Sequence, residues 1–183
     1  MTEPPVFLTR GVVLVTRDIE TLDWPTRAKA AGLTTIATHN HTTLKPPTQI
    51  RPEPGIFLEF APIARRYDRP LSDRAAQRLS TDMTHGEHLD CLDANLAVFG
   101  TEGAQVLEYW MDNSRFSGWK RDQVKLLPWN REVFLADIEL YAARGIRHVT
   151  QFATWLDGWY VEHFGEPPVD EYGAGLLTHP ARQ

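Results

Sequence analysis

Cysteine and net positive charge are both scarce in this sequence of 183 residues. The single cysteine, Cys91, can form no internal disulfide and shares no metal with a second thiol, which fits a reducing compartment. The chain carries 19 lysines and arginines against 24 aspartates and glutamates, for a formal net charge of -5. This balance provides no basic face for a phosphate backbone, so we expect no nucleic-acid partner.

Long apolar runs are missing as well. Residues 1 to 5 contain no basic leader, and no stretch approaches the roughly 18 apolar residues that a membrane-spanning helix requires. We therefore expect a cytoplasmic protein with no membrane partner. A length of 183 residues, of which 42% are hydrophobic, is enough to build one core, and we predict a single domain over residues 1 to 183.

Short apolar segments rich in β-branched residues alternate with helical segments along the chain. Strands are predicted over residues 11–16, 34–38, 56–60, 105–110 and 146–154. Helices are predicted over residues 23–32, in two stretches within 73–98, over 130–145 and over 155–164, and a tail is predicted from residue 167 onwards. A proline-rich connector over residues 44–55 joins the second and third strands.

Alternation of strands and helices predicts parallel strands joined by right-handed crossovers. The expected fold class is therefore α/β, built from (βα) repeats as a partial or shortened TIM-barrel-like sheet of about five strands with helices outside. Functional sites in such folds lie at the carboxyl ends of the strands. We therefore expect functional side chains where each predicted strand ends.

Two glutamates occupy equivalent places near the ends of the third and fourth strands. Glu59 and Glu108 each lie in an apolar run, where a carboxylate is costly unless it is paired or solvated. If both face a common cleft, they form the acid and nucleophile, or acid and base, of a glycosidase. The alternative is that each glutamate pairs with an arginine such as Arg65, Arg66 or Arg115, or simply points out of the sheet.

Further candidates for sugar contact follow the strands. Trp110 and Trp155 offer flat indole faces for stacking on sugar rings, although packing in the core is the stronger alternative. Arg65 and Arg66 are candidates to clamp an acidic sugar, with a solvated loop as the alternative. Asp112 is expected to hydrogen-bond sugar hydroxyls or to support Glu108.

The His39-Asn40-His41 segment at the end of the second strand permits a different interpretation. Alternate residues of an extended segment point to one side, so His39 and His41 could share a metal in a metal-dependent hydrolase. No set of further ligands is indicated by spacing. We therefore assign His39 to substrate contact and predict neither a metal nor another cofactor.

Three stretches resemble an uncharacterised bacterial family of glycoside-hydrolase-like TIM barrels, a domain of unknown function related in architecture to α-glucuronidases. They are residues 55–63 (GIFLEFAPI), 107–114 (LEYWMDNS) and 141–152 (YAARGIRHVTQF), within an overall span from Lys45 to Leu177. The resemblance implies the fold and a broad class of carbohydrate-active hydrolase, without a substrate.

Barrels of that kind have eight strands, and about three internal βα units are missing from this chain. Catalytic activity is therefore left open, and a non-catalytic remnant that acts in carbohydrate binding or assembly is the second hypothesis. Pairing of the 56–60 strand with the 34–38 strand would close the gap within one chain. Open sheet edges also predict a homodimer.

Overall fold

The computed structural model describes residues 11–15, 35–39, 45–49, 51–77 and 83–178, and for the first two of these segments it describes the backbone only. The helix predicted over residues 23–32 and the side chains of His39 and His41 lie outside this description. Among the described residues, no helix is long and apolar enough to cross a bilayer.

The strands form a parallel sheet in which neighbours along the chain are neighbours in space. Their order is β1-β2-β3-β4-β5. The strands are β1 (Gly11–Val15), β2 (Thr35–His39), β3 (Ile56–Phe60), β4 (Gln105–Glu108) and β5 (His148–Gln151). All four pairs are parallel, which confirms the α/β prediction, and the sheet is open with β1 and β5 at its edges.

The proline-rich connector returns the chain to the sheet beside β2. Ile36 lies opposite Ile56 and Thr38 lies opposite Leu58, so the predicted pairing of the second and third strands is confirmed. Gly55, with φ of 91°, adopts a left-handed conformation immediately before β3 begins. This conformation is readily accessible to glycine because it has no Cβ.

Local sequence signals set the limits of the helices. The helices are α1 (His85–Phe99), α2 (Asn113–Phe116), α3 (Arg131–Ala143), α4 (Gly158–Phe164) and α5 (Val169–Thr178), with a 3-10 turn at Arg121–Gln123. Thr84 and Glu87 form a reciprocal capping box at the start of α1. Asn130 caps α3, and Asp157 caps α4 by accepting a hydrogen bond from Tyr160 N.

Two helix predictions differ from the structure. Residues 73–77 form turns instead of a first helix, and the chain after Pro167 and Pro168 forms α5 where a tail was predicted. Tyr172 and Leu176 on α5 pack against the core. The helix therefore owes its position to apolar contacts that begin beyond the two prolines.

The main core lies between one face of the sheet and helices α1 and α3. Leu58, Phe60 and Val106 on β3 and β4 are buried there. Both helices contribute buried side chains to this core: Leu89 and Leu92 from α1, and Phe134, Ile138 and Tyr141 from α3. A second, smaller cluster forms where the chain leaves β4 and β5, around Met111, Val124, Leu127 and Tyr160. This second cluster occupies the edge at which we expected a site.

Candidate functional site

Glu59 and Glu108 lie on adjacent parallel strands, but the expected cleft between them does not exist. Glu59 lies opposite Gln105 in the ladder and accepts a hydrogen bond from its side-chain amide. Glu108 lies three residues beyond Gln105, which places it on the other face and roughly 10 Å further along the strand. The prediction that the two carboxylates form one catalytic pair is therefore wrong.

Glu108 instead belongs to a buried ionic cluster, which we define as Arg65, Glu108, Asp137 and Tyr141. The side chains of Arg65, Glu108 and Asp137 are fully buried. Arg65 Nη2 lies 3.1 Å from Glu108 Oε1 and 2.5 Å from Asp137 Oδ2, and thus bridges both carboxylates. The alternative in which a strand glutamate pairs with Arg65 is therefore the one observed for Glu108.

The two carboxylates of the cluster have different environments. Asp137 accepts hydrogen bonds from three groups: Leu71 N at 2.7 Å, Trp110 Nε1 at 3.0 Å and Arg65 Nη2 at 2.5 Å. Glu108 accepts from Arg65, from the Tyr141 hydroxyl and, through Oε2, from Tyr109 N at 3.3 Å. Burial raises the pKa of Glu108, and the nearby charge of Asp137 adds to this effect against the opposing influence of Arg65.

Aromatic rings lie against the arginine of the cluster. The Arg65 guanidinium lies 4.1 Å from the ring centre of Tyr67, and the Arg115 guanidinium lies 4.4 Å from the same ring. His85 and His88 on α1 are also buried. Among the described residues, both ring nitrogens of His88 and the Nε atom of Arg65 have no hydrogen-bond partner.

The other predicted sugar contacts in this region serve structural roles. Arg66 is partly exposed and pairs with Asp68. Trp110 is 3% exposed, and its indole N–H is bound to Asp137. Asp112 is fully buried and caps α2, with Oδ1 accepting from Ser114 N at 3.1 Å and from Ser114 Oγ at 2.5 Å. Trp110 and Asp112 present no free binding face, and Arg65 is fully buried, so the predicted clamp that joins Arg65 to Arg66 is wrong.

A second group of polar and aromatic side chains is exposed at the carboxyl edge of the sheet. We call Arg121, Trp155, Asp157 and Trp159 the aromatic platform. Arg121 Nη2 lies 3.0 Å and 2.7 Å from the two oxygens of Asp157. Its guanidinium carbon lies 5.9 Å from the ring centre of Trp155 and 5.3 Å from that of Trp159.

The platform is held in place by the second apolar cluster. Trp155 packs on that cluster, in which the buried Tyr160 accepts a hydrogen bond from Leu127 N at 3.1 Å through its hydroxyl oxygen. His163 stacks on Trp159 with ring centres 4.0 Å apart and 22° between the planes. Trp159 nevertheless remains 43% exposed. The platform thus combines fixed orientation with access to solvent.

Backbone conformation also distinguishes this edge. Trp119 has φ of 64° and Trp155 has φ of 63°, and these are the non-glycine residues with positive φ in the part of the chain that the structure describes. A left-handed conformation costs about 1–2 kcal/mol for a residue with a Cβ. Such outliers concentrate at functional sites because surrounding structure must hold them in place.

Trp155 was among the residues predicted to contact sugar, whereas Asp137, Tyr141 and Arg121 were not predicted. Asp137 and Tyr141 lie one turn apart on α3, so they share a face with its apolar residues. An aspartate on such a face is a signal for a buried ion pair. Arg121 and Asp157 are 36 residues apart in the chain, and no local pattern links them.

A groove of ≈ 590 Å³ lies at the opposite edge of the sheet. Ile56, Phe57 and Phe99 form its apolar lining, and Glu53 and Glu102 are its charged residues. It is found at the amino ends of β3 and β4, whereas sites in parallel sheets lie at the carboxyl ends. Within the described residues no group of three or more His, Cys, Asp or Glu side chains is arranged to hold a metal.

The fold and these two arrangements define a parallel α/β protein with an exposed aromatic platform. No protein-family model matches the chain, and comparison with curated proteins and with solved structures found no significant match. The resemblance to glycoside-hydrolase-like barrels therefore stays a prediction. Any function must be argued from the side chains themselves.

Proposed function

We propose that this chain is a carbohydrate-binding α/β protein without paired-carboxylate catalysis, and that it binds sugar at the aromatic platform. The observation that carries the proposal is the placement of two tryptophans around the exposed pair of Arg121 and Asp157. The indole of Trp155, and the part of Trp159 that the stacked His163 leaves exposed, provide flat apolar surface for the C–H face of a sugar ring. The guanidinium and the carboxylate provide donors and acceptors for hydroxyl groups.

The state of the two glutamates favours binding over hydrolysis. Glu108 is enclosed among Arg65 and Tyr141 with no exposed surface, so no substrate oxygen reaches it. Glu59 lies opposite Gln105, on the other face of the sheet from Glu108, so these two residues cannot act together as the carboxylate pair of a glycosidase. A shortened (βα) barrel that keeps one binding edge after losing its catalytic strands fits both findings.

Direct binding measurements test the platform. We expect the wild-type protein to be retarded in affinity gels containing neutral soluble polysaccharides, and Trp159→Ala and Arg121→Ala to reduce affinity for the retained polymer at least tenfold. Leu177→Ala is the matched control, because Leu177 is an 85% exposed apolar residue on α5 and is not part of the platform. Loss of binding in the control as well, or unchanged binding in both platform variants, contradicts the proposal.

A hydrolysis assay separates binding from catalysis. We expect no release of reducing ends from any polysaccharide that the protein binds. Release by the wild-type protein that is abolished in Glu59→Gln would show a carboxylate mechanism and overturn the non-catalytic part of the proposal.

Self-association is the second part of the proposal. Within the described part of the chain β1 and β5 are the outer strands of the sheet, and a second copy could pair with their backbone groups, as expected from the sequence. Light scattering at micromolar concentration should then give a mass above the 20.9 kDa of one chain. A mass equal to one chain contradicts the homodimer and leaves the sugar site unaffected.

A further inference from the structure

We infer that the platform selects neutral sugars with adjacent free hydroxyl groups over uronic acids, and that Asp157 is the residue responsible. This inference rests on the proposed sugar-binding function and adds the chemical class of the ligand.

Asp157 is held by donors on two sides. Its Oδ1 accepts from Tyr160 N at 3.2 Å, as the cap of α4, and both oxygens accept from Arg121 Nη2. The hydrogen bond from Tyr160 N and the one from Arg121 lower the pKa of Asp157. The platform therefore presents a fixed carboxylate and not a carboxylic acid at neutral pH.

Both members of the pair keep capacity for a ligand. A guanidinium has five N–H donors, and among the described residues Arg121 donates from Nη2 to Asp157. A carboxylate accepts about four hydrogen bonds, so Asp157 can still accept from a ligand hydroxyl. Two adjacent sugar hydroxyls can therefore accept from Arg121 and donate to Asp157 at the same time.

A uronate group matches this arrangement poorly. Its oxygens only accept hydrogen bonds, so it competes with Asp157 for Arg121 and brings a second negative charge close to the first. Besides His163, the two segments that form the platform edge, 119–123 and 155–164, contain two lysine or arginine side chains and three acidic ones. They are Lys120, Arg121, Asp122, Asp157 and Glu162. No local excess of positive charge offsets the repulsion.

The test uses a neutral glucan oligosaccharide and the same oligosaccharide oxidised at C6 to the uronate, each titrated calorimetrically into the full chain. We expect the wild-type protein to bind the neutral ligand at least tenfold more tightly at low salt. Added salt should narrow this ratio, because exposed charges are screened. Tighter binding of the oxidised ligand, or equal binding of both, overturns the selectivity and leaves sugar binding intact.

The Asp157→Asn variant assigns the effect to one residue. Asparagine retains the cap of α4, because its side-chain oxygen still accepts from Tyr160 N, but it removes the charge. We expect the preference for the neutral ligand to fall at least fivefold. Asp122→Asn removes a charge from the same edge without touching the Arg121 pair, and should change the preference by less than twofold.

Three results distinguish the hypotheses. Equal changes in Asp157→Asn and Asp122→Asn overturn the role of Asp157, since they indicate general charge instead of a specific contact. An unchanged preference in Asp157→Asn does the same. Absence of binding to either ligand by the wild-type protein overturns the proposed function, and this inference with it.

Discussion

The buried ionic cluster and the aromatic platform are built from the same residue types in opposite surroundings. In the cluster, Arg65 bonds Asp137 while Trp110 donates to the same carboxylate, and the pair is fully buried. In the platform, Arg121 bonds Asp157 between two tryptophans, and the two side chains are 42% and 52% exposed. Solvent access therefore decides whether this set of groups holds the fold together or remains available to a ligand.

Removal of the buried arginine should have the largest effect on stability. Arg65→Ala leaves Asp137 and Glu108 buried without their shared cation, and breaking a buried ion pair in this way costs about 3–5 kcal/mol. We expect the midpoint of urea unfolding to fall accordingly, or the variant to be unfolded. Arg66→Ala is the control one residue away, because Arg66 pairs at the surface with Asp68.

The comparison between these neighbours is the informative measurement. We expect Arg66→Ala to leave the urea midpoint unchanged, since exposed pairs contribute little. Similar losses in both variants would mean that burial does not separate the two classes of ion pair in this protein.

Acid should weaken the surroundings of the cluster through His88. Burial lowers the pKa of His88 to about 4. The unfolded chain binds the proton as pH falls through about 6.5, whereas the folded chain does so only near 4. Neutral His88 therefore contributes its full share to the free energy of unfolding above pH 6.5. This contribution is lost as the pH falls from about 6.5 to about 4, by up to about 3 kcal/mol.

Urea unfolding at pH 7, 5.5 and 4.5 measures this loss, and His88→Leu removes it. Burial also lowers the pKa of His85, which acts in the same direction, while the raised pKa of Glu108 acts in the opposite one. The difference between wild type and His88→Leu isolates the contribution of His88. Parallel stability profiles in the two proteins would contradict the prediction.

Close packing of α5 against α3 can be tested at Gly175. A Cβ at Gly175 would lie 2.3 Å from Phe134 Cε1, so Gly175→Ala must displace the helix or the ring, at a cost of about 1–3 kcal/mol. Gly173→Ala is the matched control, because nothing lies within 4 Å of its added Cβ. We expect Gly173→Ala to raise the free energy of unfolding by up to about 1 kcal/mol, because alanine has the higher helix propensity. Thermal unfolding should therefore give a lower melting temperature for Gly175→Ala and a higher one for Gly173→Ala.

The parallel sheet could be predicted from the sequence because its signals are local. The β-branched runs predicted the strands, and Asn130 marked the start of α3, whereas α4 begins at Gly158 and not at the predicted residue 155. The face of the sheet on which each of the two glutamates lies could not be predicted in the same way. Similar positions within two apolar runs say nothing about register, and a shift of one residue in the ladder moves a side chain to the other face.

The candidate sites were harder to predict because their partners are distant in sequence. Arg65 meets Asp137 across 72 residues, and Arg121 meets Asp157 across 36. The sequence contains 24 aspartates and glutamates, and nothing local indicates which of them pairs with a given arginine. The tertiary structure therefore determines which residues pair, and also that Arg65 is buried while Arg121 is exposed.

The smallest expected effect concerns backbone strain beside the platform. Trp119 has φ of 64° and is 57% exposed, so little packing compensates its left-handed conformation. Trp119→Gly and Trp119→Ala remove the same indole, but only glycine adopts positive φ without a steric cost. We expect the glycine variant to be more stable than the alanine variant by about 1 kcal/mol. At Lys120, where φ is -118°, the order should reverse, because glycine there gains nothing and loses more conformational entropy on folding. Urea unfolding of the four variants tests this prediction. If the alanine variant is the more stable one at both positions, the backbone at Trp119 is not strained. Positive φ would then not distinguish the edge that carries the platform from the buried ionic cluster.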